Sequence, residues 1–276
     1  HLFTHAFFKA LLFLGAGSVI HAFKNEQDIR KMGGVWKRIP YTWGLMLIGT
    51  MALTGFPLLS GFYSKDAIIE FAYFKNSSIG NYAMTVGITT AFLTAVYSWR
   101  LFFKTFHGKY NNSDLPIEKT HESPLVMLIP LILLASGALF AGYTFKELLI
   151  GHHYEDFWKK SIFFIKEIEH LHLPLWLLFL TPFLVVSAIP LSYYLYIKNT
   201  NILSELRKLN EPLYSFVLNK WYFDELYEFI FVKPLKSLGS FLWKKGDQNT
   251  IDRYGPDGFS KIIKYFSNKA VKFQSG

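Results

Sequence analysis

The feature that most constrains the fold of this chain is the apolar segment 40–74, which is too long for one straight membrane-spanning helix. At about 1.5 Å per residue it would extend about 52 Å, whereas the hydrocarbon core of a bilayer is about 30 Å thick. The sequence supplies a means of interruption, because Gly55 and Gly61 are conformationally free and Pro57 has no N–H to donate to the carbonyl of Leu53. We therefore predict a discontinuous helix whose break involves Gly55, Pro57 and Gly61.

Beyond the predicted break lies a lysine, Lys65, followed directly by Asp66. Counted back from the polar end of the segment, Lys65 lies about 15 Å deep, near the middle of the membrane. A lysine at that depth costs about 2.5–3.5 kcal/mol, and ionisable groups there usually face an interior pathway. Irregular backbone is likewise tolerated there only inside protein or along a water-filled cavity. We predict that Lys65 transfers protons, with Asp66 and Glu70 as candidate relay partners; the alternative is a structural lysine paired with a carboxylate elsewhere.

Composition favours a membrane protein and excludes several kinds of site. Of the 276 residues, 51% are hydrophobic and 18% aromatic, which is more apolar than an ordinary soluble domain of this size. Cysteine is absent, so we expect no disulfide framework and no cysteine-ligated iron–sulfur cluster. The formal net charge of +9 is spread over loops and the C-terminal tail, so we expect contact with a bilayer rather than with nucleic acid. The start of the sequence has no basic region or cleavage site, and we expect no signal peptide.

Long apolar segments predict an all-α membrane protein with about five transmembrane helices, one of them discontinuous. The segments are 2–23, 40–74, 82–106, 125–149 and 173–197. Lysine and arginine are concentrated in loops 24–39 and 107–123 and in the tail, which predicts that these regions lie on the cytoplasmic or matrix side. Loop 150–172 carries charges of both signs and is the least informative about orientation.

The tail differs in kind, because residues 224–273 are never apolar for long enough to span a membrane. Its apolar residues still recur at helical spacing, which predicts a long lateral arm of one or more amphipathic helices that lie along the membrane surface or across other helices. We predict interruptions of this arm at Pro234, Gly246 and Gly255-Pro256. The alternative is a partly disordered basic tail. We predict two domains, a transmembrane half-channel at 1–200 and a connecting segment with the lateral arm at 201–276.

Three ionisable residues in the first apolar segment, His1, His5 and Lys9, are spaced four apart and so share one face of a helix. Titratable groups on one side of a helix are what a proton path needs, and we predict that these three take part in one. The alternative is that the side chains extend to the interface from near a helix end, which suits His1 better than Lys9.

Two other patterns resemble sites and lack essential parts. The pairs His152-His153 and His170/His172 have spacings found among metal ligands, but no carboxylate arrangement completes a site, and we predict no metal centre. Gly15-Ala-Gly17 begins like a dinucleotide-binding motif, but the third glycine is missing and no strand precedes it. We therefore expect no electron-carrying site in this chain.

Several short motifs spread along the chain form a recognisable set. The first is His-Leu-Phe-Thr-His-Ala-Phe-Phe-Lys-Ala-Leu-Leu-Phe-Leu at 1–14, followed by Gly-Ala-Gly-Ser-Val-Ile-His at 15–21. Others are Lys-Met-Gly-Gly at 31–34, Leu-Thr-Gly-Phe-Pro at 53–57, Gly-Phe-Tyr-Ser-Lys-Asp at 61–66 and Thr-Phe-His-Gly at 105–108. In the tail, the motifs are Phe-Asp-Glu-Leu-Tyr at 223–227 and Phe-Val-Lys-Pro at 231–234. Together the motifs resemble the proton-translocating, antiporter-like membrane subunits of respiratory complex I, and those of the tail resemble the start of the lateral helix of the distal subunit of this type.

The resemblance covers essentially the whole chain and implies roles for particular residues. Lys65 matches a lysine central to proton transfer in that family, and His1, His5 and Lys9 match groups on the hydrophilic axis of the preceding helix. The resemblance also implies that the chain is a C-terminal-half fragment, without the family's N-terminal half and its last spanning helix.

The same resemblance implies a subunit of NADH–quinone oxidoreductase with no redox site of its own, since NADH, flavin, iron–sulfur clusters and quinone are expected in other subunits. The expected partners are the other membrane subunits, especially the adjacent antiporter-like one, and the lipid bilayer of a bacterial or mitochondrial inner membrane. Alternatives are the large subunit of a multi-subunit cation/proton antiporter or membrane-bound hydrogenase, or a structural membrane arm that does not conduct protons.

Overall fold

The computed structural model describes residues 1–112, 115–151, 154–159, 161 and 173–274, and every regular element within those ranges is helical. The chain divides into two units, residues 1–204 and 205–276. The histidine pairs at 152–153 and 170/172 lie outside the described residues.

The first unit is a group of long helices. They are α1 (Leu2–Ala22), α2 (Pro40–Thr54), α3 (Ser60–Phe74), α4 (Ser78–Phe106), α5 (Leu125–Leu149), the short α6 (Tyr154–Trp158), and α7 (Leu175–Tyr193), which continues as a π-helical turn to Lys198. By length and composition α1, α4, α5 and the extended α7 are long and apolar enough to cross a membrane. With α2 and α3 as two halves of one further segment, the predicted all-α membrane fold with a discontinuous helix is confirmed.

The discontinuity lies where glycine and proline predict it. Helix α2 ends at Thr54, and Gly55 follows with φ of 83°, in the left-handed region that glycine adopts without steric cost. Pro57 lies within the break, and Leu58 also has a positive φ of 72°.

Gly61 lies inside the first turn of α3 and has a different role from Gly55. A Cβ atom at Gly61 would lie 1.8 Å from the carbonyl oxygen of Ala52, near the end of α2. The absence of a side chain therefore lets α3 begin directly against the last turn of α2.

The start of α2 is held by a side chain from the loop that follows α4. The carboxylate of Glu122 accepts the backbone N–H groups of Tyr41 and Thr42, at 2.8 and 3.2 Å, and the hydroxyl of Thr42. These N–H groups have no partner within their own helix, and a carboxylate at a helix N-terminus is also favoured by the helix dipole. Ser18 of α1 joins the same group through its hydroxyl, 2.7 Å from that of Thr42.

Small residues on α5 allow the helices to pack closely. Helix α5 contacts α1, α2 and α3, and its buried positions include Ala135, Ala138, Ala141 and Gly142. Small side chains at helix contacts in membranes let the backbones approach each other and strengthen van der Waals packing.

The second unit is a series of helices without a buried core. It begins within α8 (Asn201–Leu209) and continues through α9 (Glu211–Leu218), α10 (Phe223–Tyr227), a π-helical turn (Glu228–Val232), α11 (Lys233–Phe241), a π-helical stretch (Leu242–Asp252) and α12 (Pro256–Val271). No described side chain in this unit is buried.

A long, nearly continuous helix is present as predicted, but two of its predicted interruptions are wrong; its position along the membrane stays a prediction. The helix continues through Pro234 and Gly246, and it is interrupted at Gly255, where φ and ψ are −83° and −109°. The turn just before Pro234 is π-helical, which changes the hydrogen-bond pairing where proline has no N–H to donate.

Candidate functional site

The helix break provides a hydrogen-bond acceptor for Lys65. The side chain of Lys65 is half-buried, and its Nζ donates to the carbonyl oxygen of Thr54 at 3.5 Å. Its Cδ lies 3.6 Å from the position of a Cβ at Gly55, so the aliphatic part of the lysine passes close to the glycine of the break. The last carbonyls of a helix have no partner within it, and a cation near them is favoured by the helix dipole. The end of α2 is therefore suited to hold a lysine in its charged form.

Two carboxylates follow Lys65 on α3. Asp66 and Glu70 are four residues apart on one helix face, and both side chains are half-buried. The Oδ1 atom of Asp66 is buried and has no hydrogen-bond partner among the described residues. Such atoms are rare in folded proteins and call for an explanation, of which a role in proton exchange is one.

The first two residues of the series on α1 come together near Lys65. His1 Nδ1 lies 2.9 Å from the hydroxyl of Ser64, the residue next to Lys65 in α3. The hydroxyl of Thr4 donates to the same Ser64 oxygen at 2.9 Å. The rings of His1 and His5 are 5.5 Å apart between centroids. Histidine, threonine and serine thus form one polar cluster where α1 meets α3.

Ser64 and Thr4 are members of this cluster that our sequence analysis missed. Ser64 is buried, and its hydroxyl also donates to the carbonyl of Ser60, one turn back, at 3.2 Å. A signal existed in the sequence, because Ser64 directly precedes Lys65 and Thr4 lies one helical turn from His1. Hydroxyl groups both donate and accept hydrogen bonds, so they suit a chain of proton-carrying groups.

Lys9 lies apart from the two histidines. Its exposed side chain lines a cavity of about 350 Å³ between α1, α2 and α4, and its Nζ is 6.0 Å from the ring of Phe13. The cavity also reaches Thr50, Leu53 and Ser98. Leu53, which directly precedes Thr54 in the last turn of α2, thus lines the same cavity as Lys9.

A second cavity, of about 140 Å³, lies on the histidine side of α3. His1, Ser64 and Ala67 line it together with Lys146 of α5. The Nζ of Lys146 lies 5.7 Å from the ring of Tyr63, within the range of a cation–π contact. Lys146 is a further basic group that our sequence analysis did not single out.

His107, just after α4, is a titratable group outside the spans. The indole Nε1–H of Trp43 donates to His107 Nε2 at 3.0 Å, so this nitrogen carries no proton and the ring is neutral. Burial lowers the pKa of His107 below its usual value. The ring centroids of Trp36, Phe102 and Phe103 are 5.8–6.1 Å from the centroid of the imidazole ring.

Metal binding finds no support in the described part of the chain. Among those residues, no three histidine, aspartate or glutamate side chains form a group that could hold a metal ion.

Two family models match the chain. The model described as NADH:quinone oxidoreductase/Mrp antiporter, transmembrane, matches residues 1–98, and the model described as NADH dehydrogenase subunit 5 C-terminus matches residues 97–276.

Curated relatives match over the whole chain. NADH-ubiquinone oxidoreductase chain 5 of Chondrus crispus is 40% identical over 290 residues, covering 100% of this chain and 43% of the relative. Its counterpart in Marchantia polymorpha is 39% identical over 288 residues, covering 100% of this chain and 42% of the relative. NADH-quinone oxidoreductase subunit L of Rickettsia bellii is 42% identical over 288 residues, covering 100% of this chain and 43% of the relative. The chain thus spans less than half the length of these relatives.

Proposed function

The chain belongs to the family of NADH dehydrogenase subunit 5, and from that premise we propose that it translocates protons in the membrane arm of an NADH–quinone oxidoreductase. Proton movement through its lysine and histidine side chains would be coupled to electron transfer in other subunits. The resemblance to a complex I antiporter-like subunit, of the type called chain L or chain 5, is confirmed.

The observation that carries the proposal is the position of Lys65 at the helix break. A lysine in a membrane-spanning segment is costly, and such residues line ion or proton pathways. Lys65 donates to the Thr54 carbonyl, and an unpaired buried oxygen of Asp66 lies next to it in the chain. We propose Lys65 as the central proton-transferring group, with Asp66 and Glu70 as relay groups.

The remaining proposed groups lie on α1. His1 and His5 would exchange protons with α3 through the hydroxyl of Ser64, which contacts His1 directly. Lys9 would act from its own cavity beside the last turn of α2. Water in the two cavities would bridge the gaps between these groups.

A cation/proton antiporter or hydrogenase subunit is the nearest alternative, because the family model over residues 1–98 includes Mrp antiporters as well. The match of residues 97–276 to the C-terminus of NADH dehydrogenase subunit 5 favours the oxidoreductase. The other alternative is a structural membrane arm that does not conduct protons. This alternative can be distinguished by measurement, because Lys65 would then be dispensable for pumping.

The same proposal implies which partners the chain has and in which membrane it lies. The partners would be other membrane subunits, in particular the adjacent antiporter-like subunit, in a bacterial or mitochondrial inner membrane. NADH, flavin, iron–sulfur clusters and quinone would be bound by other subunits. We also propose that residues 201–276 form a lateral arm along the cytoplasmic or matrix surface, where each lysine gains about 1 kcal/mol near anionic lipid.

Replacement of Lys65 in the full-length subunit, within the intact complex, tests the proposal. Lys65→Ala should abolish most proton pumping and coupled quinone reduction while the complex still assembles. Lys65→Arg should fail as well, because a guanidinium does not release its proton in the working pH range. Lys75→Ala, an exposed lysine at the end of the same helix, is the matched control. Normal pumping in an assembled Lys65→Ala complex would reject the role.

A further inference from the structure

Ser60 is the first residue of α3 after the helix break, and its hydroxyl forms hydrogen bonds with the backbone of α5. Ser60 is 0% exposed. Its Oγ donates to the carbonyl of Gly137 at 2.9 Å and accepts the N–H of Gly142 at 2.8 Å. These two backbone groups are five residues apart, whereas an α-helix pairs groups four apart. The serine therefore connects a carbonyl and an N–H that α5 would not pair with each other.

The backbones around Ser60 approach each other as closely as glycine permits. A Cβ at Gly142 would lie 2.4 Å from the Cα of Ser60, and one at Gly61 would lie 1.8 Å from the carbonyl oxygen of Ala52. The start of α3 is thus in contact with α5 on one side and with the end of α2 on another.

Further contacts continue along the same pair of helices and reach α1. Lys146 of α5 lies over the ring of Tyr63, and the centroids of the Tyr63 and Tyr143 rings are 6.5 Å apart. On α5, a Cβ at Gly137 would lie 2.2 Å from the ring of Phe7 in α1. Helix α5 therefore touches both helices that carry the proposed proton-transferring groups.

We propose that Ser60 is a positioning residue for Lys65. By holding the start of α3 on α5, it keeps Lys65 Nζ within reach of the Thr54 carbonyl and keeps Ser64 within reach of His1. The Lys65 contact is sensitive to such placement, because 3.5 Å is already at the long end of hydrogen-bond distances. This inference rests on the proposed function of Lys65.

The first test compares two serine-to-alanine substitutions in the full-length subunit of the assembled complex. Ser60→Ala removes both the bond to the Gly137 carbonyl and the bond from the Gly142 N–H, and it should lower coupled proton translocation about tenfold, a factor equivalent to about 1.4 kcal/mol. Ser136→Ala is the matched control, because the hydroxyl of this exposed serine on α5 bonds the Leu133 carbonyl of its own helix and no other group among the described residues. Ser60→Cys, which replaces the hydroxyl by a somewhat larger thiol that is a weak donor and a weak acceptor, should give a smaller loss of about threefold.

The second test reports the position of α3 without depending on proton transfer. Ala67 lines the cavity beside His1 and Ser64, and the chain has no cysteine, so Ala67→Cys introduces a single thiol into this segment. Its labelling rate with a small thiol reagent should change about threefold or more when Ser60→Ala is added, and it should not change with Ser136→Ala.

The two measurements separate the possible failures. Labelling and translocation that match the Ser136→Ala control would overturn the positioning role of Ser60. Altered labelling with full translocation would support that role and would instead count against Lys65 as a proton-transferring group. If Ser60→Ala prevents assembly, Ser60→Cys replaces it in the translocation assay, and full translocation in that variant would overturn the proposal.

Discussion

Replacing Gly61 with alanine tests whether the close approach at the helix break is required for function. The new Cβ would lie 1.8 Å from the carbonyl oxygen of Ala52 and 3.7 Å from the Cα of Gly55. Because a carbon and an oxygen that are not bonded stay about 3 Å apart or more, the start of α3 must withdraw by about 1 Å. Overpacking of this kind costs about 1–3 kcal/mol, and a misplacement of about 1 Å lowers rates by up to about 100-fold.

The matched control for Gly61→Ala is Gly44→Ala, on the other half of the same discontinuous helix. Apart from its chain neighbours and the backbone of its own helix, a Cβ at Gly44 meets no described atom within 4 Å, and alanine is the better helix former. We expect the Gly61→Ala complex to lose this subunit at a lower temperature in detergent and to pump protons about 10- to 100-fold more slowly, whereas Gly44→Ala behaves like the parent. Equal stability and equal pumping in the two variants would refute the argument from close approach.

Two further predictions concern His107 and the lateral arm. Burial lowers the pKa of His107 below 6.5, so the unfolded chain binds more protons near pH 6, and stability should fall as the pH falls below about 6.5. His107→Gln, which still accepts the Trp43 N–H, should reduce that loss when the complex is heated at about pH 7.5 and about pH 5.5; an unchanged pH dependence would contradict this. Truncation after Tyr222 should release distal subunits in detergent if the arm clamps the complex, or should stop pumping in a stable complex if it transmits motion. A truncated complex that assembles and pumps normally would show the arm to be dispensable.

The discontinuous helix was predictable because its signals are local. The excess length of segment 40–74 requires a tilt or a break, and Gly55 and Pro57 supply the conformations that a break needs. The part played by Gly61 was not predictable in this way, because the atom that excludes a side chain there belongs to Ala52, on the other side of the break. Close approach is a property of packing and leaves no local pattern.

The contacts that hold the candidate site are long-range, and the sequence alone did not reveal them. Ser60 bonds backbone groups 77 and 82 residues away, and Glu122 caps α2 from 80 residues away. The four-residue spacing places His1, His5 and Lys9 on one helix face, but it does not show which parts of the protein each of them contacts. Lys9 lies about 12 Å along the axis from His1, so the histidine reaches Ser64 while the lysine reaches a different cavity.

The break and the lysine would each be unfavourable alone in a membrane, and together they offset each other. The carbonyl of Thr54 ends α2 without an intrahelical partner, which in hydrocarbon costs several kcal/mol. A lysine at the same depth needs an acceptor, and Lys65 Nζ finds one in that carbonyl. Since an ammonium is a stronger donor than a neutral amine, release of a proton from Lys65 would weaken this bond and leave the end of α2 less well satisfied. Under the proposed function, the protonation state of Lys65 and the geometry of the break would therefore be linked, which gives a physical reason for one segment to carry both.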